Sequence, residues 1–360
     1  MEPFQIHVAD ETLDDLRARL RRTRWPDQVP GIGWEQGTEL DWLRHLVSYW
    51  ANENEFDWRA WETRLNALHH FTWQGIHFVH QRATSGKGMP LILTHGWPGS
   101  FLDYVAMLPM LSDFDVVVPS LPGYGFSPRP PMVGVNYRYV AERWHQLMSA
   151  LGYSRYAASG YDFGAGVTTL LAFDHPESVI GIHLTTLESD LTPAVDDAEL
   201  SDIERSYLAM TRRWDATERG YSAIQSTKPQ TVGYGVNDSP AGLAAYLCEK
   251  WHSWSDVMPS NDFLCATLTL YWVTQTITSS MRDYWDNRWH PVKPTYVNTP
   301  TAFAVFAHQT VPEGEPPRSY VQRVYNIQRW TVFPRGGHFA PAEEPAAVAQ
   351  DLTAFFKERS

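Results

Sequence analysis

The chain has 360 residues with 29 Lys+Arg against 41 Asp+Glu, a formal net charge of −12. At 43% hydrophobic and 19% charged, it holds enough apolar material for a large core and too little charge for disorder. No basic stretch interrupts the acidic balance, which argues against nucleic acid or an anionic membrane as partner. The two cysteines, Cys248 and Cys265, exclude a disulfide framework and make a reducing compartment the default.

The start, Met1-Glu2-Pro3-Phe4, lacks a basic and then apolar leader, so no signal peptide is expected. No window is apolar enough to span a membrane. The first 70 residues read as helices. Asp10 or Thr12 can cap one carrying Leu13, Leu16 and Leu20, with Thr12 and Asp15 spaced as a capping box. A second carries Leu40, Leu43, Val47 and Trp50, and a third Trp58, Trp61, Leu65 and Leu68. These predict a wrap packed on a larger body. Gln74-Gly75 then sits between two short apolar runs, which is a hairpin signal.

Beyond it, strands predicted at 91–93, 115–118, 156–158, 179–184, 303–306 and 330–333 alternate with helical patterns at 140–151, 165–173 and 348–356. That rhythm predicts an α/β fold: a mostly parallel sheet with helices on both faces. It breaks between 191 and 295, a mostly helical stretch expected as a cap over the carboxyl ends of the strands. The expected organisation is a helical wrap at 1–70, a core of 71–190 with 296–360, and a cap at 191–295.

Gly160-Tyr161-Asp162-Phe163-Gly164 lies between a strand and a helix. Gly-x-nucleophile-x-Gly in that setting is a nucleophile elbow, in which small residues flank a sharp turn. The usual residue at its centre is Ser; here it is Asp162. A carboxylate attacking an ester would give a mixed anhydride. A carboxylate attacking a saturated carbon gives an alkyl ester that water can cleave, so Asp162 points to displacement at carbon, such as epoxide opening or halide loss. The plainer alternative is a Gly-rich turn with a capping Asp.

Upstream, Thr94-His95-Gly96-Trp97-Pro98-Gly99-Ser100 ends a strand in a Gly/Pro turn. The backbone N–H groups of Trp97 and Phe163 are the candidates for an oxyanion hole. Downstream, Arg335-Gly336-Gly337-His338-Phe339 follows the last strand and precedes the last helix. His338 is there the candidate base that activates water.

Together these segments resemble the epoxide-hydrolase branch of the α/β-hydrolase superfamily, and more closely its microsomal type with an N-terminal helical wrap. Arg24-Trp25-Pro26-Asp27 resembles the wrap, and Leu121-Pro122-Gly123-Tyr124-Gly125-Phe126-Ser127 a core loop. Gly220-Tyr221 with Thr227-Lys228-Pro229, and Asp238-Ser239-Pro240, resemble the lid. The resemblance implies that Tyr221 and Tyr284 protonate the epoxide oxygen. Nothing in local spacing picks these two from seventeen tyrosines. A phenol suits the task, because it stays protonated at neutral pH yet gives its proton readily to a far more basic alkoxide.

Two positions depart from the family. Phe163 stands where Trp is usual, which weakens a dehalogenase reading. Gln309 stands where the resemblance places a carboxylate behind the base. Three readings stay open: Glu188 or Asp190 substitutes, Glu313 or Glu315 bends back, or no acid is present and turnover is slow or altered. The implied activity is hydrolysis of an epoxide to a vicinal diol with no cofactor. Opening by an internal nucleophile, giving a cyclised product, and a non-catalytic binding role are the alternatives. The sixteen tryptophans hint at a bulky, apolar or aromatic substrate. His69-His70 lacks further ligands at metal spacing, and a cytoplasmic enzyme is expected.

Overall fold

The computed structural model describes residues 1–188, 191–192 and 196–359. Nine strands form one sheet: β1 (Glu2–Pro3), β2 (His70–Trp73), β3 (Ile76–Gln81), β4 (Met89–Thr94), β5 (Phe114–Pro119), β6 (Tyr156–Gly160), β7 (Val179–Leu184), β8 (Val297–Phe306) and β9 (Tyr325–Phe333). Their order is β1-β2-β3-β5-β4-β6-β7-β8-β9. From β5 to β9 every pairing is parallel; β1, β2 and β3 add an antiparallel flank. This is the mostly parallel sheet that the alternating pattern predicted, in the α/β-hydrolase arrangement that the resemblance implied.

The interior strands are covered on both faces, so they read as continuous apolar runs: β5 and β6 are buried throughout. β8 and β9 begin well before their predicted starts. Asn298, Thr299 and Thr301, and Asn326, Gln328 and Arg329, break the apolar run there. β9 is an edge strand with intermediate and exposed positions along it, so its first half carries little hydrophobic signal. β1 is two residues long and has no period to read. The hairpin turn takes positive φ at both Gln74 (48°) and Gly75 (81°), as a two-residue β-turn requires.

The first helix, Asp10–Arg21, corrects the capping expectation. Its N-cap is Ala9, with no side-chain cap, so neither Asp10 nor Thr12 serves. Asp10 and Glu11 instead lie in the first turn, where they face the positive end of the helix dipole. Leu13, Leu16 and Leu20 are its buried face. The helices Leu40–Ala51 and Trp58–Asn66 follow, capped by Glu39 and Asp57.

Among the described residues six α-helices lie between β7 and β8: Asp202–Glu218, Gly220–Gln225, Pro229–Asp238, Pro240–Trp254, Asn261–Thr274 and Ile277–Trp289. The N-terminal helices fasten to them. Trp50 Nε1 donates to Thr269 Oγ1 at 2.9 Å and Trp61 Nε1 to Asp262 Oδ2 at 3.0 Å. Thr38 donates to the Ala245 carbonyl at 2.7 Å, and Trp34 stacks on His252 with ring centres 3.8 Å apart. Among the described residues no helix is long and apolar enough to cross a membrane.

Candidate active site

The site lies where strand order reverses. β4 neighbours both β5 and β6, and Thr94 at the end of β4 pairs with Gly160 at the end of β6. Loops leaving these two carboxyl ends diverge and open a crevice between them. The Gly96–Ser100 loop and the Asp162 turn occupy that crevice.

Asp162 has φ 51° and ψ −130°, a strained backbone for a residue with a Cβ. The surroundings over-determine it. A Cβ on Gly160 would overlap the Gly164 carbonyl, and one on Gly164 would overlap the Thr94 carbonyl. Larger residues at either place would force the turn open. The Asp162 N–H donates to Thr186 Oγ1 at 2.6 Å, just past β7. The Trp97 N–H donates to Asp162 Oδ1 at 2.8 Å. Gly96 is needed as well, since its Cβ would overlap the Asp162 carboxylate. Phe163 opens the helix Phe163–Asp174, where backbone N–H groups point forward without helical partners.

His338 is 2% exposed. Its N–H donates to the Trp254 carbonyl at 2.8 Å. Glu343 grips the loop around it, accepting from Gly337 N at 3.1 Å and Phe339 N at 3.0 Å. The ring packs against Trp254 and Tyr161. His338 Nε2 stands 3.4 Å from Asp162 Oδ2, and among the described residues neither ring nitrogen has a hydrogen-bond partner.

A cavity of about 550 Å³ is lined by Asp162, Phe163, Tyr221, Tyr284 and His338, together with the candidate carboxylates Glu188 and Glu313, so seven of the sequence candidates share one space. Trp97 lies beneath it, stacked on Tyr221 at 5.5 Å and edge-on to Tyr284 at 5.7 Å. Burial holds both phenols well above their usual range. The negative charge of Asp162 pushes each the same way, and the two hydroxyls also interact with each other. Both phenols thus keep their protons at neutral pH. Of the sixteen tryptophans only Trp254 is in the cavity lining, while Trp50, Trp58, Trp144 and Trp251 are core.

The carboxylate positions differ from one another. Gln309 is buried but turned away, donating to the Thr185 carbonyl at 3.3 Å. Its Oε1 has no partner. Glu188 lines the cavity, and its charge acts on Arg219 and Tyr325. Asp190 falls outside the described residues, and Glu315 is exposed. Glu313 lines the cavity beside Arg219, with which it forms an ion pair. Arg219 and Thr186 were missed by sequence reasoning. Arg219 directly precedes Gly220-Tyr221, and that adjacency was the available signal for it. Among the described residues no group of three His, Cys, Asp or Glu side chains is placed to hold a metal ion.

Comparison with known proteins bears on the family and the fold. Residues 1–104 match the family described as epoxide hydrolase N terminus, and residues 89–345 the alpha/beta hydrolase fold. Epoxide hydrolase 1 of Sus scrofa is 33% identical over 99% of this chain and 88% of its own length. The solved Aspergillus niger epoxide hydrolase superposes with a TM-score of 0.88 at 29% identity, covering 100% of this chain and 96% of that one. The juvenile hormone epoxide hydrolase of the silkworm Bombyx mori gives 0.87 at 30% identity, covering 99% of this chain and 94% of that one. An N-terminal match joined to a hydrolase-fold match, with full-length relatives of one kind, means that this chain belongs to the microsomal-type epoxide hydrolases of the α/β-hydrolase fold.

Proposed function

We propose that this enzyme converts an epoxide to a vicinal diol through a covalent ester on Asp162. The observation that carries this reading is the division of labour between the two Asp162 oxygens. Oδ1 accepts the Trp97 N–H, while Oδ2 is the oxygen near His338. Oδ2 is therefore the attacking atom. It forms a bond to one epoxide carbon as the carbon–oxygen bond of the ring breaks. Tyr221 or Tyr284 gives its proton to the departing oxygen, and the second phenol stabilises the charge by hydrogen bonding.

His338 then takes a proton from water, and the water oxygen attacks the ester carbon. The negative charge that develops on Oδ1 meets the Trp97 and Phe163 N–H groups. Collapse breaks the bond between the Asp162 carboxyl carbon and Oδ2, and Oδ2 leaves on the substrate carbon as the second oxygen of the diol, replaced in the carboxyl by the water oxygen. The proton held by His338 goes to the departing Oδ2, and the second proton of the water, left on the new Asp162 carboxyl, passes to the phenolate, which restores the Asp162 carboxylate and the phenol. The sum is epoxide plus water, with no cofactor. The aromatic rings of Tyr137, Phe163, Trp254 and Tyr284 in the lining support an apolar or aromatic substrate of moderate size. The helices between β7 and β8 act in this reading as the cap that delivers the phenols.

Single turnover in heavy-oxygen water with a styrene-type epoxide tests the route. The label should enter the Asp162 carboxylate before it appears in diol. Asp162→Asn should form no ester and lose at least about 10⁴-fold in rate. Label found only in the diol would remove the covalent route.

A further inference from the structure

Three features of the wall beside His338 have no part in the chemistry so far: the neutral Gln309, the Arg219–Glu313 pair, and buried polar atoms without partners. Glu313 sits in the short turn Pro312–Gly314 after β8. Its carbonyl accepts from Leu187 N at 2.7 Å, which ties the turn to the segment after β7. Its side chain keeps 14% of its surface. Oε1 pairs with Arg219 Nη2, and Oε2 is buried without a hydrogen bond. His338 Nδ1 is equally without one.

An imidazolium formed in a site this dry needs a nearby anion. In the free enzyme Asp162 provides one. In the ester Asp162 is neutral, so His338 loses that anion at the step where it must take a proton. Gln309 has no charge to offer and is engaged with Thr185. Asp103 also acts on His338, but burial pushes its carboxyl up to about 7, and Tyr161 and Ser100 occupy its Oδ2. Glu343 acts on His338 too, yet both its oxygens serve the backbone N–H groups of Asp256, Gly337 and Phe339. Glu188 is coupled to Arg219.

We propose that Glu313, paired with Arg219, is the positioning carboxylate that supports the His338 imidazolium while the Asp162 ester is hydrolysed. This rests on the covalent route above. Burial pushes the Glu313 carboxyl up, Arg219 opposes that rise, and the charges of Glu313 and His338 favour each other. Glu313 also faces Tyr221 and Tyr207, whose protons its charge helps retain. Arg219 faces Glu313, Tyr221, Asp215 and Glu188, and its cation is raised despite burial. The pair thereby joins the two halves of the reaction. Arg219 eases proton release from Tyr221, and Glu313 supports the base.

The test follows ester on the intact protein by mass spectrometry, with a styrene-type epoxide, as a function of pH. In Glu313→Gln the ester should form at the wild-type rate and decay about a hundredfold more slowly. The acidic limb of its decay should move to lower pH by about one unit, because an imidazole without its anion holds a proton less tightly. Adding Gln309→Glu to Glu313→Gln should restore at least about tenfold of the decay rate. Arg219→Gln should decay slowly at neutral pH and recover as pH rises and Glu313 ionises. An unchanged decay rate and limb in Glu313→Gln overturns the assignment and leaves the covalent route standing. So does equal slowing of ester formation and decay with no movement of the limb. Diol formed by wild type with no ester at any time overturns both.

Discussion

The turn after β6 and the loop after β8 both face the cavity, and they are built in opposite ways. The Asp162 turn is held on several sides: two glycines at closest approach, Thr186 on the N–H, and Trp97 on Oδ1, which leaves Oδ2 open toward His338. Around Gln309 and Glu313 polar atoms are left over, and Gly314 is packed against the flexible end of Gln309. In the proposed mechanism the first region determines which bond forms, and the second adjusts how fast the intermediate is released. A fold can vary the second without losing the first, and the neutral residue at 309 marks where this chain has done so.

The sharpest way to separate the regions is His338→Gln. Asp162 should still be alkylated, and ester decay should fall by about 10⁴-fold, so that the adduct accumulates on the intact protein. Loss of alkylation in that variant would mean that the turn does not act alone in bond formation.

A steric pair comes next. Gly164→Ala drives a Cβ into the Thr94 and His95 carbonyls, backbone atoms that cannot move aside, and should cost more than about 3 kcal/mol in denaturant unfolding. Gly314→Ala also overlaps a neighbour, but that neighbour is the Gln309 side chain, so its cost should stay below about 1 kcal/mol. Equal costs would erase the contrast.

The smallest expected effect is in stability against pH. Burial pushes Asp103, which supports the turn through Tyr161, up to about 7 from 3.8. The folded chain keeps this proton in a window where the unfolded chain releases it. Its contribution to stability is complete below about pH 4 and is lost as pH rises through about 7. Asp103→Asn should flatten that fall, by a few degrees (~3 °C) in Tm across the window. A slope unchanged by the substitution would assign the pH response elsewhere.

Much of this was legible in the chain because the relevant constraints are local. A turn that needs glycine on both sides of Asp162, and a strand that runs into the Gly/Pro loop around Trp97, leave marks within ten residues. The strand rhythm located six of the nine strands, and the hairpin signal located β2 and β3. What could not be read was pairing across distance. Tyr221 and Tyr284 entered through family resemblance, since nothing near either one shows that they share a cavity. Gln309 could be named as a departure, but choosing among Glu188, Glu313 and Glu315 needed the fold of the loop after β8. The missing cap on Asp10–Arg21 is the same lesson at small scale, since a residue suited to a cap is not used as one when the chain enters the helix one residue earlier.

The tryptophans that fasten the N-terminal helices have a consequence for synthesis. Trp50 meets Thr269 across 219 residues of sequence, and Trp61 meets Asp262 across 201. The first helices therefore leave the ribosome with their apolar stripes bare, and must wait for most of the chain before those stripes are covered. A nascent or prematurely ended chain that stops short of Asp262 carries sticky surface and lacks both Tyr284 and His338.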